Sequence, residues 1–286
     1  LFFLSISTLV YGDNWYTSSG DYDSSKYSSI NQINKSNINK IDLVWVYRNG
    51  YIPGHADRNN NQSTPIFTGT SLIVTSLDGY LISLDPSTGV EKWRTKLISP
   101  IGKRGITYFN ENIFVPTAKG IAVIKEDSGE LNEDYGKNGL IGSNNKSLSL
   151  VPPVIYKNNL LVAHSQKFES YSLPDGESNW SLDLNGARIW SGFSFDEDNK
   201  TVIFVTSNLV DLIGKTDIKN DFSNSVVLID ADTGKVRCKF KDTIHDHWDL
   251  DMVGNPVITY QHKNQSTIKV AYAFSKTGNT FVVDIK

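Results

Sequence analysis

A repeated turn constrains the fold of this chain more than any other feature of its sequence. Four times, a strand-like run leads into an acidic residue and a short turn that ends in glycine. In three of the copies a second run then closes on a large apolar residue. The copies are residues 84–89 with Trp93, residues 125–129, residues 173–176 with Trp180, and residues 229–234 with Phe240. Their turn glycines lie 40, 47 and 58 residues apart, a spacing typical of one four-stranded β-propeller blade per repeat.

The rest of the chain agrees with an all-β fold. Short runs rich in Val, Ile, Phe and Tyr recur between clusters of Gly, Asn, Asp and Ser, and no long stretch has a helical period. A two-sheet sandwich is the alternative, but it has no reason to repeat at this period. The 286 residues accommodate an incomplete arc of about four blades. Because residues 278–286 resemble the start of another repeat, we expect the propeller to continue beyond this sequence.

Charge and cysteine content exclude some classes of function. The chain has 28 basic and 31 acidic residues and a formal net charge of -3, with no basic stripe that could bind phosphates, so nucleic acid is not an expected partner. Cys238 is the one cysteine, and its strand-like neighbours predict a small buried apolar side chain.

The first twelve residues predict export. Residues 1–12 are nearly all apolar or small, are too short to span a bilayer, and are followed by polar sequence. This pattern is typical of the end of a signal-peptide apolar region, with cleavage before Asp13 and a periplasmic product. An apolar first strand is the alternative. We therefore expect residues 13–286 to be the N-terminal part of a propeller domain.

The repeats resemble the tryptophan-docking repeats of pyrroloquinoline quinone (PQQ) dependent dehydrogenases. The resemblance extends to the entrance segment, through residues 28–34, 36–38 and 43–48, and covers the chain from residue 13 onward. It implies an eight-bladed propeller and a quinoprotein oxidoreductase. Such an enzyme oxidises an alcohol or an aldose by hydride transfer to PQQ with the assistance of Ca²⁺. A chain of this length alone is expected to be inactive.

The most specific segment is residues 244–251, which is similar to the family's His-Asp-x-Trp-Asp stretch. The resemblance implies that Asp249 is the catalytic base, because alcohol oxidation requires removal of the hydroxyl proton. It also implies that Lys276 is the cationic residue near the reactive carbonyl of the quinone. On the residues alone, an aspartate in such a loop is more often a turn or capping residue than a catalytic one.

The resemblance also assigns a set of cofactor contacts. Trp190 matches the tryptophan on which the quinone ring lies, and Arg104 matches an arginine that contacts it. A cofactor with three carboxylates needs such cations. The predicted cofactor-binding residues are Gln62, Arg104, Ser165, Arg188, Trp190 and Lys276.

The predicted metal ligands for Ca²⁺ are Asn208, Asp249 and Gln166, since oxygen ligands suit a hard cation. Glu169 is the alternative to Gln166, because the loop that carries the family's calcium-binding glutamate is short in this sequence. Residues 99–103 also lack the adjacent cysteine pair of many alcohol-oxidising members. In this respect the chain resembles the branch that includes membrane glucose dehydrogenases.

Two other classes of function stay open at this point: a non-catalytic envelope scaffold, and a sensor or sugar-binding propeller. A scaffold shares the repeats but has no reason to keep the residue 244–251 loop. The partners implied by the enzyme are a small alcohol or sugar and an electron acceptor, quinone or cytochrome. Membrane association would have to come from other regions of the protein.

Overall fold

The computed structural model describes residues 14–50, 62–97, 101–142, 151–209, 220–244, 246–263 and 266–286. The predicted signal-peptide remnant, residues 1–12, and Asp13 lie outside the described residues. Within these ranges the regular structure is strand, apart from one 3₁₀ turn at Ile38–Lys40. In the same ranges no helix has both the length and the apolar composition needed to cross a bilayer. The all-β prediction is confirmed.

The strands form five antiparallel sheets, each built from consecutive strands in chain order. The first sheet contains β1 (Ile66–Phe67), β2 (Leu72–Thr75), β3 (Tyr80–Leu84) and β4 (Glu91–Lys96). The second contains β5 (Thr107–Phe109), β6 (Asn112–Thr117), β7 (Gly120–Lys125) and β8 (Leu140–Ile141). The third contains β9 (Val154–Tyr156), β10 (Asn159–Ala163), β11 (Lys167–Ser172) and β12 (Ser178–Asp183). The fourth contains β13 (Phe193–Asp196), β14 (Thr201–Val205), β15 (Ser225–Asp230) and β16 (Val236–Lys241). The fifth contains β17 (Met252–Lys263), β18 (Ser266–Ser275) and β19 (Thr280–Asp284).

The core consists of apolar layers, each placed between two consecutive sheets. Strand β6 shows how the sequence builds them, because successive side chains of a strand point to opposite faces. Ile113 and Val115 pack against the first sheet, and Phe114 between them packs against the third. Burying both faces of a sheet requires nearly continuous apolar strands, which is what β6 and β14 have. The arrangement is a β-propeller arc of four complete blades and a three-stranded fifth sheet, in agreement with the predicted arc of about four blades.

Residues 14–24, called the strap below, cross the first strand of every sheet. The hydrogen bonds that attach the strap join Trp15 to Phe67, Tyr16 to Tyr108, Tyr22 to Ile155 and Phe195, and Asp23 to Ile258. The nine residues from Trp15 to Asp23 can span at most about 30 Å when fully extended. The five first strands must therefore converge, and they form the inner side of the arc.

Tryptophans on the outer strands hold neighbouring blades together. Trp93 of the first blade donates a hydrogen bond from Nε1 to the Glu126 carbonyl in the turn of the second blade, at 2.8 Å. A Cβ atom added to Gly129 in that turn would lie 2.5 Å from Cε3 of Trp93. Glycine is therefore required in this turn for two reasons: the backbone has a positive φ of 73°, and the indole packed against it leaves no room for a side chain. Trp180 and Trp45 dock on the turns of Gly234 and Gly89 in the same way.

The prediction that Phe240 closes the fourth repeat is wrong. Cys238 takes that position: it pairs with Leu228, as Trp180 pairs with Ser170 in the third blade. Cys238 is half-buried and packs against the core between the fourth and fifth sheets, and burial raises the pKa of its thiol. Phe240, two residues on, faces the same side of the strand as Cys238, but it is 43% exposed and does not belong to that core.

Candidate active site

The predicted site residues lie in two kinds of loop. Loops that lead into the first strand of a sheet carry Gln62, Arg104, Arg188, Trp190 and Asp249. Loops that join the second strand to the third carry Ser165, Gln166, Asn208 and Lys276. In an antiparallel meander, the start of the first strand and the end of the second lie at the same edge of the sheet. The topology therefore places all of these residues at one end of the propeller.

Trp190 is the centre of the site, and two cations face its indole ring. The guanidinium carbon of Arg104 lies 5.0 Å from the ring centroid, and Nζ of Lys276 lies 5.9 Å from it. Both distances are within the range of cation–π attraction. The indole Nε1 is buried and has no hydrogen-bond partner among the described residues. An aromatic face with two positive charges over it suits a flat anionic ligand.

The backbone next to Arg104 packs closely against the strap. The next residue, Gly105, has φ +132°, and a Cβ atom added to it would lie 2.9 Å from Cβ of Ser18. Only glycine fits this close approach without displacing the strap. Burial lowers the pKa of the Arg104 guanidinium, although an arginine remains charged in proteins. A half-buried guanidinium without its full hydration attracts an anion more strongly than an exposed one does.

Lys276 connects Trp190 with the candidate base. Its Nζ donates to Oδ2 of Asp249 at 3.1 Å, to the Asp249 carbonyl at 2.8 Å, and to Oδ2 of Asp251 at 2.9 Å. Burial lowers the pKa of Lys276, but its hydrogen bonds to Asp251 and Asp249 outweigh burial and raise the pKa overall. Lys276 is thus a protonated side chain shared between the aromatic face and two carboxylates. The carboxylate of Asp249 is 72% exposed, which leaves it accessible to a substrate.

Asn208 is joined to the same cluster through Asp251. The Asn208 amide N–H donates to Oδ1 of Asp251 at 2.8 Å, and the Ser207 hydroxyl donates to the Asn208 carbonyl at 2.7 Å. Asp251 is buried, with 7% of its surface exposed. Its carboxylate therefore links the loop of Asn208 to the loop of Lys276. The sequence motifs do not single out Asp251, and the signal that points to it is its position two residues after Asp249.

Ser165 and Arg188 are brought to the site through their backbone groups. The amide of Ile189, beside Trp190, donates to the Ser165 carbonyl at 3.1 Å. The Ser207 amide donates to the Arg188 carbonyl at 2.9 Å. The side chain of Arg188 is exposed. These contacts connect the loops of the third and fourth blades around Trp190.

Gln62 and Gln166 are less closely connected to the cluster. Both residues are exposed. The Gln166 carbonyl accepts a hydrogen bond from the Leu184 amide at 3.0 Å. In the described part of the chain, no hydrogen bond joins the side chain of Gln62 or Gln166 to another predicted site residue.

Glu169, the alternative to Gln166, is part of a buried network inside the third sheet. Its carboxylate accepts hydrogen bonds from the hydroxyls of Tyr171 at 2.7 Å and Ser181 at 3.0 Å, and it lies 3.1 Å from Nε2 of His164. Burial alone would raise the pKa of Glu169, but His164 and the hydroxyl donors lower it to about 2. These partners make Glu169 part of the packing of the third sheet, and no hydrogen bond among the described residues joins it to Asn208.

Oxygen donors suited to a hard cation do occur at the site, on Asn208 and Asp249. The described residues contain no group of three or more His, Cys, Asp or Glu side chains arranged to hold a metal ion. A cation here would therefore need amide and carbonyl oxygens as well as carboxylates.

Comparison with known proteins identifies relatives of the whole arrangement. Residues 15–177 and 166–286 match the family described as PQQ glucose/ethanol/alcohol dehydrogenase, β-propeller domain. Quinoprotein glucose dehydrogenase A of Acinetobacter calcoaceticus is 26% identical over 91% of this chain. Quinoprotein glucose dehydrogenase of Escherichia coli K12 is 22% identical over 95% of the chain. Among solved structures, the quinohemoprotein alcohol dehydrogenase of Comamonas testosteroni superposes with a TM-score of 0.80 over 95% of the chain, at 18% identity.

The chain spans less than half the length of these relatives. It covers 41% and 42% of the two glucose dehydrogenases and 47% of the solved alcohol dehydrogenase.

Proposed function

Since this chain belongs to the PQQ-dependent glucose, ethanol and alcohol dehydrogenase family and contains its β-propeller repeats, we propose that the full-length protein is a quinoprotein oxidoreductase. The proposed substrate is an alcohol or an aldose, and the electrons pass on to a quinone or a cytochrome. One observation carries the proposal: Lys276 contacts both the Trp190 ring and Asp249. It connects a surface for a flat anion with a candidate base.

The residues around Trp190 fit PQQ. A planar cofactor with three carboxylates requires an aromatic face and cations, which Trp190, Arg104 and Lys276 provide. The buried, unpaired Nε1 of Trp190 is a donor for which the described residues supply no acceptor, as expected of a site built to receive a ligand. When bound, PQQ would supply the two-electron acceptor for the hydride that leaves the substrate carbon.

Asp249 acts as the general base in this proposal. Lys276 holds Oδ2 of Asp249, so we assign the role of accepting the hydroxyl proton of the substrate to Oδ1. Asn208 and Asp249 would provide oxygen ligands for Ca²⁺.

Substitution of Asp249 tests the proposal. In the full-length protein reconstituted with PQQ and Ca²⁺, Asp249→Ala should lower dye-linked turnover by about 10² to 10⁴ fold, the usual contribution of a positioned base. The affinity for PQQ, measured by the quenching of tryptophan fluorescence, should be affected less than turnover.

Asp232→Ala is the matched control. Asp232 is also an exposed, ion-paired aspartate, 2.9 Å from Nζ of Lys200, but it lies in the turn between β15 and β16, at the other end of the blade. This variant should keep wild-type turnover. Near-full activity of Asp249→Ala would refute the base assignment, and an intact protein that binds no PQQ would favour the non-catalytic scaffold.

A further inference from the structure

The loop that carries Asp249 is organised around a second, buried aspartate. Asp246 is 4% exposed. Its Oδ1 accepts a hydrogen bond from the amide of Trp248 at 2.8 Å, and its Oδ2 accepts one from the amide of Leu250 at 2.7 Å. These two amides belong to the residues immediately before and after Asp249. The carboxylate of Asp246 therefore holds the backbone on both sides of the candidate base.

The backbone of Asp249 needs such support. Its φ is +60°, in the left-handed region that residues with a side chain rarely adopt. A residue stays in this conformation only when its surroundings over-determine it. Among the described residues, the paired hydrogen bonds of Asp246 give this support from within the loop. Lys276 adds a third from outside, because it donates to the Asp249 carbonyl.

Asn224 connects this loop to the loop of Asn208. Nδ2 of Asn224 donates to Oδ2 of Asp246 at 2.9 Å. The Asn224 amide donates to the Ser207 carbonyl at 3.0 Å, next to Asn208. Asn224 is 1% exposed and has φ +48°. One buried residue thus joins Ser207, through its backbone amide, to Asp246, through its side chain.

We infer that Asp246, supported by Asn224, is a positioning residue that sets the place and direction of the Asp249 carboxylate relative to Asn208 and Lys276. The inference rests on the proposed function, because it assigns a role to Asp246 only through the base. Asp246 is too buried to touch substrate itself. A displacement of a reacting group by about 1 Å can cost about 10² fold in rate, so loosening this loop has a measurable effect.

Asp246→Asn is the substitution that tests the inference. It keeps the shape of the side chain, but in either orientation of the amide its NH₂ group faces at least one of the N–H donors that the carboxylate accepts. In the full-length protein, turnover should fall by about 10 to 100 fold. The dissociation constant for PQQ, measured by quenching of tryptophan fluorescence, should change by less than about threefold, since Asp246 does not contact the residues over Trp190.

Asp196→Asn is the matched control. Asp196 is 0% exposed and accepts hydrogen bonds from the Asn199 amide and from Lys269, but it lies at the opposite end of its blade. This variant should lose stability without losing turnover. If both variants lose stability and turnover in equal proportion, Asp246 is a structural residue and the inference is overturned.

A double-mutant cycle separates positioning from general damage. In an Asp249→Ala background, Asp246→Asn should lower the residual turnover by less than about twofold, because the group that it positions is absent. A merely structural residue would lower the residual turnover by the same factor as in the wild type. That outcome would refute the inference.

Asn224→Gly tests the same inference if Asp246→Asn does not fold. Glycine tolerates the positive φ at this position, and the two amide contacts of Asp246 remain. Turnover should fall by about threefold or more, again with no further effect in the Asp249→Ala background, and wild-type turnover would contradict the inference. Failure of the proposed function gives a different result, since Asp249→Ala itself would then keep its activity.

Discussion

Replacement of Gly129 by alanine tests the docking of each blade on the next. Gly129 has φ +73°, and an added Cβ atom would lie 2.5 Å from Cε3 of Trp93 and 2.8 Å from Oγ1 of Thr95. Non-bonded carbon atoms do not approach this closely, so the indole must move. Gly129→Ala should therefore destabilise the protein through two separate effects, backbone strain and loss of the docked position.

Gly254→Ala measures the first effect alone. Gly254 has φ +74°, and no atom of the described residues would lie within 4 Å of an added Cβ. Alanine in this left-handed conformation costs about 1–2 kcal/mol. Gly129→Ala should lower the free energy of unfolding by the same amount for backbone strain. It should lower it further by about 1 kcal/mol for the lost hydrogen bond from Trp93 to the Glu126 carbonyl and by about 1–3 kcal/mol for overpacking. The two variants should therefore differ by about 2–4 kcal/mol.

This difference in the free energy of unfolding can be measured on the full-length protein by urea unfolding, with circular dichroism as the signal. It is calculated from the urea midpoints of the two variants and a common slope of free energy against urea concentration. A Gly129→Ala/Trp93→Leu variant should cost less than the sum of its two single changes, because the smaller side chain relieves the contact. Equal free energies of unfolding for Gly129→Ala and Gly254→Ala would refute the reasoning. The turn glycine would then be needed only for its backbone conformation.

Three further predictions concern charge, metal and export. Burial raises the pKa of Asp23 to about 6, against the opposing effect of Lys269, so the folded state binds this proton more tightly than the unfolded state and stability falls as pH rises from about 4 to about 6. Asp23→Asn should therefore be more stable than the wild type at pH 8 by about 1 kcal/mol, after allowance for solvent screening of a partly exposed group, and the gain should vanish near pH 4. An equal gain at both pH values would contradict this. Asn208→Ala should weaken Ca²⁺ binding in a titration of the full-length protein and be partly rescued by added Ca²⁺, whereas unchanged binding would remove it from the ligand set. We propose that the protein is exported, and N-terminal sequencing of the mature protein should find cleavage before Asp13; a retained leader in a cytoplasmic product would rule export out.

The repeat could be found in the sequence because its parts are local. A turn glycine and the tryptophan four residues later, such as Gly176 and Trp180, lie on one hairpin, so the geometry of the turn determines their spacing. The same spacing points from Gly234 to Cys238. Side-chain size favours Phe240, but the strand register places Cys238 at the equivalent position, so pairing and not side-chain volume decides which residue occupies it.

The site could be predicted only where single residues carry its chemistry. Trp190, Arg104, Asp249 and Lys276 were selected by resemblance to a family, and the structure brings them together. Gln62 and Gln166 are exposed and stay predictions, since no hydrogen bond within the described part of the chain joins their side chains to the other predicted site residues.

The sequence by itself determined the class of fold, the period of the blades and the residue types available for chemistry, because these depend on alternation and turns within about ten residues. Only the tertiary structure decided which carboxylates act together. Asp246 holds its own loop and reaches Asn224, and Asp251 joins Asn208 to Lys276. These partners come from different strands and loops of the fourth and fifth sheets. A buried carboxylate needs hydrogen-bond donors. Because segments distant in the sequence supply these donors, the partners are determined only when the sheets pack together.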